Sequence, residues 1–229
     1  MLDGLENWIQ PQHLNVEGIE RVSYELLETP AKTAVLDEFL APEQFDTLTA
    51  LFHGDGAFQQ KYKRKGHHAH ISEAEFEAVG SDKQFLTHLQ LEGPALGREM
   101  HQSVLLDLLF RRFLGGPAKR FFSACLNAPI NVVEHINAKI LGNEHFLKPH
   151  SDSVKDRKLC CVLYMSTDWA PSLGGRFELY LDKKIVRTID PIANRLIIFQ
   201  PGTQYLHAVE KFTEAGRDWR RCNYSFWYR

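Results

Sequence analysis

The chain has 229 residues, of which 44% are hydrophobic, and it carries a formal net charge of −2 at pH 7. This length fits one domain that buries most of its apolar surface. The near-neutral, mixed charge argues against a dedicated nucleic-acid surface, and the apolar pattern predicts neither a signal peptide nor a membrane span. We therefore expect a cytoplasmic domain that acts on a small molecule or a protein.

The four cysteines are predicted to be reduced and packed. Cys125, Cys160, Cys161 and Cys222 lack the C-x2-C spacing of a metal site. Adjacent Cys160 and Cys161 lie in an apolar run and would point to opposite sides of a strand. This usage is typical of the buried thiols of a cytosolic protein.

Residues 1–128 are predicted to be mainly helical support and recognition loops. Proline near the start and apolar residues on one helical face predict a helix over 41–53. Ser72 and Glu75 form a capping box that predicts the start of a second helix. A long amphipathic helix is expected over 95–116 because two glycines stop it, and another over 117–127.

Residues 129–229 consist of short β-rich runs separated by turn residues. The runs are INVVEHINAKIL, KLCCVLYMS, RFELYL, KIVRTI, RLIIF and RCNYSFWYR. Several strands at this spacing, without helical crossovers, predict a sandwich or barrel of the jelly-roll type. The expected fold class is α+β, a single domain in which helices brace a catalytic β core. Gly174 and Gly175 are expected to form a tight turn.

The segment FLKPHSDS contains a histidine and an aspartate two residues apart. His150 and Asp152 would project to one side of a strand and reach one cation. His207, in QYLHAVE after a predicted strand and turn, is the candidate third ligand. Two histidines and one carboxylate form the facial triad of non-haem Fe(II) oxygenases. A second H-x-D triplet, His53 and Asp55, follows a predicted helix and is interpreted as a helix stop.

The final predicted strand carries an arginine among polar side chains. Arg221, Asn223 and Ser225 alternate with mostly apolar residues, so the arginine would share a polar face. An arginine that faces into a barrel needs an anion, and its planar fork fits a carboxylate such as the distal one of 2-oxoglutarate. Arg217 and Arg220 remain alternatives for this role.

From about residue 137 onward, the ordered motifs resemble the prolyl 4-hydroxylase-like family of 2-oxoglutarate- and Fe(II)-dependent dioxygenases. The motifs are LGNEHFLKPHSD, KLCCVLYMSTDW, GGRFELY, NRLIIF, LHAV and RCNYSFWY. The resemblance implies a double-stranded β-helix with helices packed on one sheet. It implies three iron ligands, His150, Asp152 and His207. It also implies a 2-oxoglutarate site lined by Arg221, Tyr164 and Asn223.

The resemblance implies a hydroxylase that uses Fe(II), 2-oxoglutarate and dioxygen, with ascorbate as a further candidate cofactor, and that releases succinate and carbon dioxide. The expected substrate is a small anionic metabolite, such as an amino acid or a natural-product intermediate. A prolyl-type protein side-chain hydroxylase and a non-catalytic metal-binding β-barrel are the alternatives. Ile140 stands where close prolyl hydroxylase relatives often carry a tyrosine, which argues against a prolyl substrate.

Arg157 and the basic stretch 61–65 are expected to surround the mouth of the barrel with positive charge. Arg157 follows the first two candidate ligands and is the candidate for binding an anionic substrate. The segment KYKRKGHHAH, residues 61–70, is interpreted as a solvated mobile loop between helices. A substrate-facing lid and a second metal site are the alternative interpretations of this segment.

Overall fold

The computed structural model describes residues 4–55, 57–67, 69–91 and 102–229. Within these residues, five α-helices and eleven strands form an α+β fold with an eight-stranded and a three-stranded antiparallel sheet. This architecture confirms the predicted fold class. Among the described helices, none combines the length and the apolar character needed to cross a membrane.

The helices precede most of the sheet in the chain. They are α1 Val16–Leu27, α2 Pro42–Ala50, α3 Glu73–Glu77, α4 Gln102–Gly115 and α5 Ala118–Leu126. The predicted helices of this region are confirmed, including the capping box of Ser72 and Glu75 at α3. Residues 95–101 of the predicted long helix lie outside the described residues. Helix α1, capped by the Asn15 side chain, was not predicted.

The strands follow one another in antiparallel pairs. They are β1 Thr33–Leu36, β2 Phe58–Arg64, β3 Gln84–Leu91, β4 Val133–Leu141, β5 Phe146–Leu147, β6 Leu159–Tyr164, β7 Phe177–Leu181, β8 Lys184–Ile189, β9 Leu196–Phe199, β10 Tyr205–Val209 and β11 Arg221–Tyr228. The large sheet has the order β1-β9-β6-β11-β4-β3-β2, with β5 paired to β3, and the small sheet has the order β10-β7-β8. Gly174 and Gly175 have φ values of 73° and 77°, which confirms the predicted turn before β7.

Three strands of the large sheet come from the first half of the chain, so the prediction of a mainly helical half is incomplete. Strand β2 contains the residues FQQKYKR and lies at the edge of the sheet. Edge strands tolerate lysines and other charges, and such a strand lacks the apolar run that identifies a buried one. The interpretation of residues 61–70 as a loop between helices is therefore wrong for the part that belongs to β2.

The core divides into two layers because side chains alternate along each strand. On β6, Cys161 and Leu163 pack toward the helices, whereas Cys160, Val162 and Tyr164 pack between the two sheets. This arrangement confirms that the adjacent cysteines point to opposite sides, and all four cysteines are free and buried. The helices brace one face of the large sheet and leave its other face to line a pocket.

Candidate active site

The three predicted metal ligands converge where the two sheets meet. His150 follows β5 and His207 lies on β10, and their backbones exchange two hydrogen bonds of 3.1 and 2.8 Å. Asp152 comes two residues later, and the ligand atoms of the three side chains all lie within 4.8 Å of one another. Among the described residues, this is the only group of three metal-ligating side chains, and it therefore offers one facial site.

Burial and mutual contact adjust the protonation of this triad. Burial, with His150 alongside, lowers the pKa of His207 to about 3. Burial likewise lowers the pKa of His150. Burial alone would raise the pKa of Asp152, but His207, His150 and a hydrogen bond from Trp227 lower it to about 2. The triad thus offers two neutral imidazoles and one carboxylate, the forms that bind a divalent metal.

Two neighbouring side chains hold Asp152 in place. The indole of Trp227 donates to its Oδ2 at 2.7 Å, and Nη1 of Arg157 donates to its backbone oxygen at 2.9 Å. Arg157 also donates to Oε2 of Glu134 through Nε at 3.2 Å and Nη2 at 2.5 Å. Protein groups therefore engage Arg157 on two sides. Substrate binding by Arg157 stays a prediction.

Arg221, Tyr164 and Asn223 form one buried network. The Nη2 of Arg221 donates to the Tyr164 hydroxyl at 3.0 Å, and Nη1 donates to Oδ1 of Asn223 at 2.8 Å. Arg221 is only 3% exposed, and its Nε has no hydrogen-bond partner among the described residues. Because buried cations with unsatisfied donors are costly, this arginine is suited to hold an anion.

The predicted register of the final strand is correct. Arg221 lines the pocket, whereas Arg217 and Arg220 are not among the described lining residues. Arg217 pairs instead with Glu214 at 3.2 Å, and Arg220 donates to the backbone oxygen of Arg217 at 3.3 Å. His53, the other histidine in an H-x-D triplet, is exposed in a helical turn that follows α2. Of the three arginines, Arg221 alone is among the described lining residues, and His53 is separate from the triad.

A cavity of about 910 Å³ connects the triad to Arg221. Cavities that bind small molecules commonly reach this size, so there is room for a substrate beside a co-substrate. Two further residues line it that sequence reasoning did not single out, His88 on β3 and Lys139 on β4, together with Lys63 of the basic stretch on β2. Trp227 was also missed as a site residue, although its alternation with Arg221 on one strand face was a usable signal.

The sequence model of the 2OG-Fe(II) oxygenase superfamily matches residues 135–229, which include the triad, Tyr164 and Arg221. Residues 135–229 therefore form a 2OG-Fe(II) oxygenase domain. The donor set of this oxygenase fits the two groups in the family name. Two neutral imidazoles and a carboxylate suit Fe(II), and the unsatisfied Nε of a buried arginine suits a carboxylate of 2-oxoglutarate.

Solved structures share the fold of this oxygenase. One is a prolyl hydroxylase from Trichoplax adhaerens in complex with a hypoxia inducible factor oxygen degradation domain peptide fragment. It aligns with this chain with a TM-score of 0.64 at 16% sequence identity. The alignment covers 93% of this chain and 91% of that chain. A Pseudomonas putida prolyl-4-hydroxylase aligns with a TM-score of 0.60 at 16% identity and covers 92% of this chain and 98% of that chain. These likenesses confirm the double-stranded β-helix fold.

One curated relative adds a likeness in sequence. Prolyl 3-hydroxylase OGFOD1 of Xenopus laevis is 26% identical over 137 residues, which cover 57% of this oxygenase and 25% of the relative. The oxygenase therefore matches about a quarter of the length of this relative.

Proposed function

We propose that this oxygenase hydroxylates a prolyl residue of a protein, using Fe(II), 2-oxoglutarate and dioxygen and releasing succinate and carbon dioxide. The observation that carries the reaction class is the His150–Asp152–His207 triad, which faces the same cavity as the buried Arg221. The prolyl substrate is supported by the named relatives in both comparisons, which are prolyl hydroxylases.

Each polar residue of the site has a separate task in this reaction. His150, Asp152 and His207 hold Fe(II), which supplies the oxidising chemistry with dioxygen when it is bound. Arg221 and the Tyr164 hydroxyl bind the distal carboxylate of 2-oxoglutarate through charge-assisted hydrogen bonds. Asn223 accepts from Nη1 of Arg221 and keeps the guanidinium plane in position. His207, Arg221, Tyr164 and Asn223 are buried, which limits the access of water on their side of the reacting centre.

The identity of residue 140 no longer argues against a prolyl substrate. Ile140 is buried in the core layer that packs against the helices. Its strand neighbours Lys139 and Leu141 line the cavity instead. Ile140 therefore faces away from the substrate because successive side chains of a strand point to opposite faces.

A small anionic metabolite is the second candidate substrate. The cavity favours it because Lys63, Lys139 and Arg221 line it together, and positive potential concentrates anionic ligands. This candidate and the prolyl proposal share the reaction and differ in the substrate alone.

The test of the reaction class compares alanine variants of the triad with a matched histidine variant. His150→Ala, Asp152→Ala and His207→Ala should lose Fe(II) binding in anaerobic calorimetry and should form no succinate from 2-oxoglutarate. His53→Ala, which changes an exposed histidine away from the cavity, should keep both properties. Full succinate formation by Asp152→Ala would refute the assignment, and its complete absence from the wild type would favour a non-catalytic metal-binding β-barrel.

The test of the substrate uses mass spectrometry. Peptide libraries with a central proline and a panel of small carboxylic acids are incubated separately with the oxygenase, Fe(II) and 2-oxoglutarate. The proposal expects one oxygen atom to be added to proline in a subset of peptides. Oxygen added to small acids alone would replace the prolyl proposal with the second candidate.

A further inference from the structure

Three neighbouring strands form one wall of the cavity, and each contributes a nitrogen-bearing side chain. Lys63 lies on β2, His88 on β3 and Lys139 on β4. Lys139 stands opposite Gln90 on β3 and opposite Asn223 on β11. The wall therefore begins beside the strand of Arg221 and extends to the edge of the sheet.

The two lysines of this wall are half-buried cations that line the cavity. Burial lowers the pKa of Lys63. Burial also lowers the pKa of Lys139 to about 8; nearby Asp152 opposes this shift, whereas Lys63 and Arg221 add to it. Desolvated cations that lie near one another are unfavourable unless an anion joins them.

The charged groups of the proposed reaction sum to zero and therefore do not neutralise the two lysines. The charges of Fe(II), Asp152, Arg221 and the 2-oxoglutarate dianion cancel one another. Among the described residues that line the cavity, Asp82 is the remaining carboxylate besides Asp152. Two half-buried lysine side chains therefore face a cavity that has room for a substrate.

His88 supplies a second and independent sign of a ligand. Its side chain is 1% exposed, and its Nδ1 has no hydrogen-bond partner among the described residues. Its Nε2 lies 3.2 Å from Oε1 of Gln90, which assigns the ring proton to Nε2. Nδ1 is then a buried acceptor without a donor among the described residues, and an N–H of a ligand would satisfy it.

The wall extends away from the co-substrate site. Neighbouring strands lie about 4.8 Å apart, so three steps from β11 to β2 amount to about 14 Å. Lys63 and His88 thus stand on the side of the cavity away from Arg221. Beyond Lys63, the exposed residues Arg64 and Lys65 also line the cavity and carry the positive charge outward to its mouth.

We propose that Lys63, His88 and Lys139 form a substrate subsite for an acidic residue of a peptide. The two ammonium groups bind the side-chain carboxylate, and Nδ1 of His88 accepts the backbone N–H of the same residue. This inference rests on the proposed prolyl hydroxylation and adds that the target lies in an acidic segment. A peptide is favoured over a free acid because Arg64 and Lys65 continue the charge toward solvent.

The test measures binding of three proline-centred peptides that carry aspartate, asparagine or lysine beside the proline. Fluorescence anisotropy is recorded on the Fe(II)- and 2-oxoglutarate-loaded oxygenase without dioxygen. The aspartate peptide should bind at least about tenfold more tightly than the asparagine peptide, as expected for charge-assisted hydrogen bonds. Its advantage should shrink as salt is added.

Single substitutions test whether the preference for the aspartate peptide comes from the wall. Lys63→Met and Lys139→Met should each remove most of the preference for aspartate. His88→Phe should weaken binding of the aspartate and asparagine peptides equally, because His88 is proposed to contact a backbone N–H that both peptides have. Lys184→Met, which changes an exposed lysine of β8 in the other sheet, should keep the preference of the wild type.

Four results would overturn the subsite. The first two are equal affinities for the aspartate and asparagine peptides, and no detectable binding of the aspartate peptide. The third is competition by N-acetyl-aspartate that is as strong as competition by the unlabelled aspartate peptide. The fourth is a single-stranded oligonucleotide that binds more tightly than the aspartate peptide. In addition, a loss of 2-oxoglutarate affinity in Lys139→Met as large as that in Arg221→Met would assign Lys139 to the co-substrate. If the aspartate preference holds while no peptide gains oxygen, the subsite stands and the prolyl reaction fails.

Discussion

The indole Nε1 of Trp227 donates a hydrogen bond to Oδ2 of Asp152 at 2.7 Å. The same carboxylate lies 3.7 Å from Nε2 of His150 and 3.5 Å from Nε2 of His207. Trp227 therefore fixes the plane of the carboxylate between the two histidines. Groups in this position orient a metal ligand without touching the metal.

Trp227→Phe should weaken Fe(II) binding, because phenylalanine keeps an aromatic ring and loses the donor. Loss of such a hydrogen bond costs roughly tenfold or more in metal affinity. Anaerobic calorimetry with Fe(II) measures the change. Trp219→Phe is the matched control, since its indole donates to the backbone oxygen of Thr167 instead. Equal Fe(II) affinity in the two variants would show that Trp227 does not position Asp152.

Arg221→Met should weaken binding of 2-oxoglutarate. A charge-assisted hydrogen bond contributes about 1.5 to 3 kcal/mol, so the dissociation constant should rise by at least about tenfold. Arg220→Met removes the neighbouring arginine, whose Nη1 donates to backbone oxygen, and should leave the constant unchanged. Titration with 2-oxoglutarate in the presence of Fe(II) and absence of dioxygen distinguishes them. A larger effect in Arg220→Met would mean that the register of the strand is wrong.

Two tyrosines of β11 connect the sheet to α4 and should differ in their contribution to stability. The Tyr224 hydroxyl donates to buried Asp107 at 2.7 Å, and the Tyr228 hydroxyl donates to the backbone oxygen of Leu114 at 3.0 Å. Tyr224→Phe should lower the free energy of unfolding by about 1.5 to 3 kcal/mol, because the acceptor pairs with Arg111 as a carboxylate. Tyr228→Phe should lower it by about 0.5 to 1.5 kcal/mol.

Urea denaturation of both tyrosine variants at neutral pH provides the measurement. The two changes remove the same atom from the same strand, so the comparison isolates the charge of the acceptor. A larger loss in Tyr228→Phe would contradict the ionised pair of Asp107 and Arg111.

The β core was predictable from the sequence where the two faces of a strand differ in chemistry. On β11, the face of Arg221 and Asn223 is polar, and the face of Tyr224 and Phe226 packs on the helices. Strand β2 was missed because its edge position leaves both of its faces partly open, and the residues there need not be apolar. Local alternation therefore identifies a strand when one of its faces is buried.

Contacts between distant parts of the chain were not predictable. Arg157 closely follows the ligands His150 and Asp152 in sequence, and it was therefore predicted to be available to bind an anionic substrate. Its guanidinium instead meets Glu134, which lies 23 residues earlier on a neighbouring part of the sheet. The wall formed by Lys63, His88 and Lys139 likewise depends on the order of β2, β3 and β4. Spacing along the chain alone does not specify which strands that lie far apart in sequence become neighbours in a sheet.

The four cysteines should resist alkylation in the native protein. All four are free and buried, and burial raises the pKa of the Cys125 and Cys222 thiols to about 12. Burial also raises the pKa values of Cys160 and Cys161. Iodoacetamide reacts with the thiolate form, so at pH 8 it should react slowly with these protonated and inaccessible thiols. Mass spectrometry should find no labelled cysteine in the native protein and four in urea. Rapid native labelling of Cys160, which lines the cavity, would mean that the cavity admits solvent to a reactive thiolate.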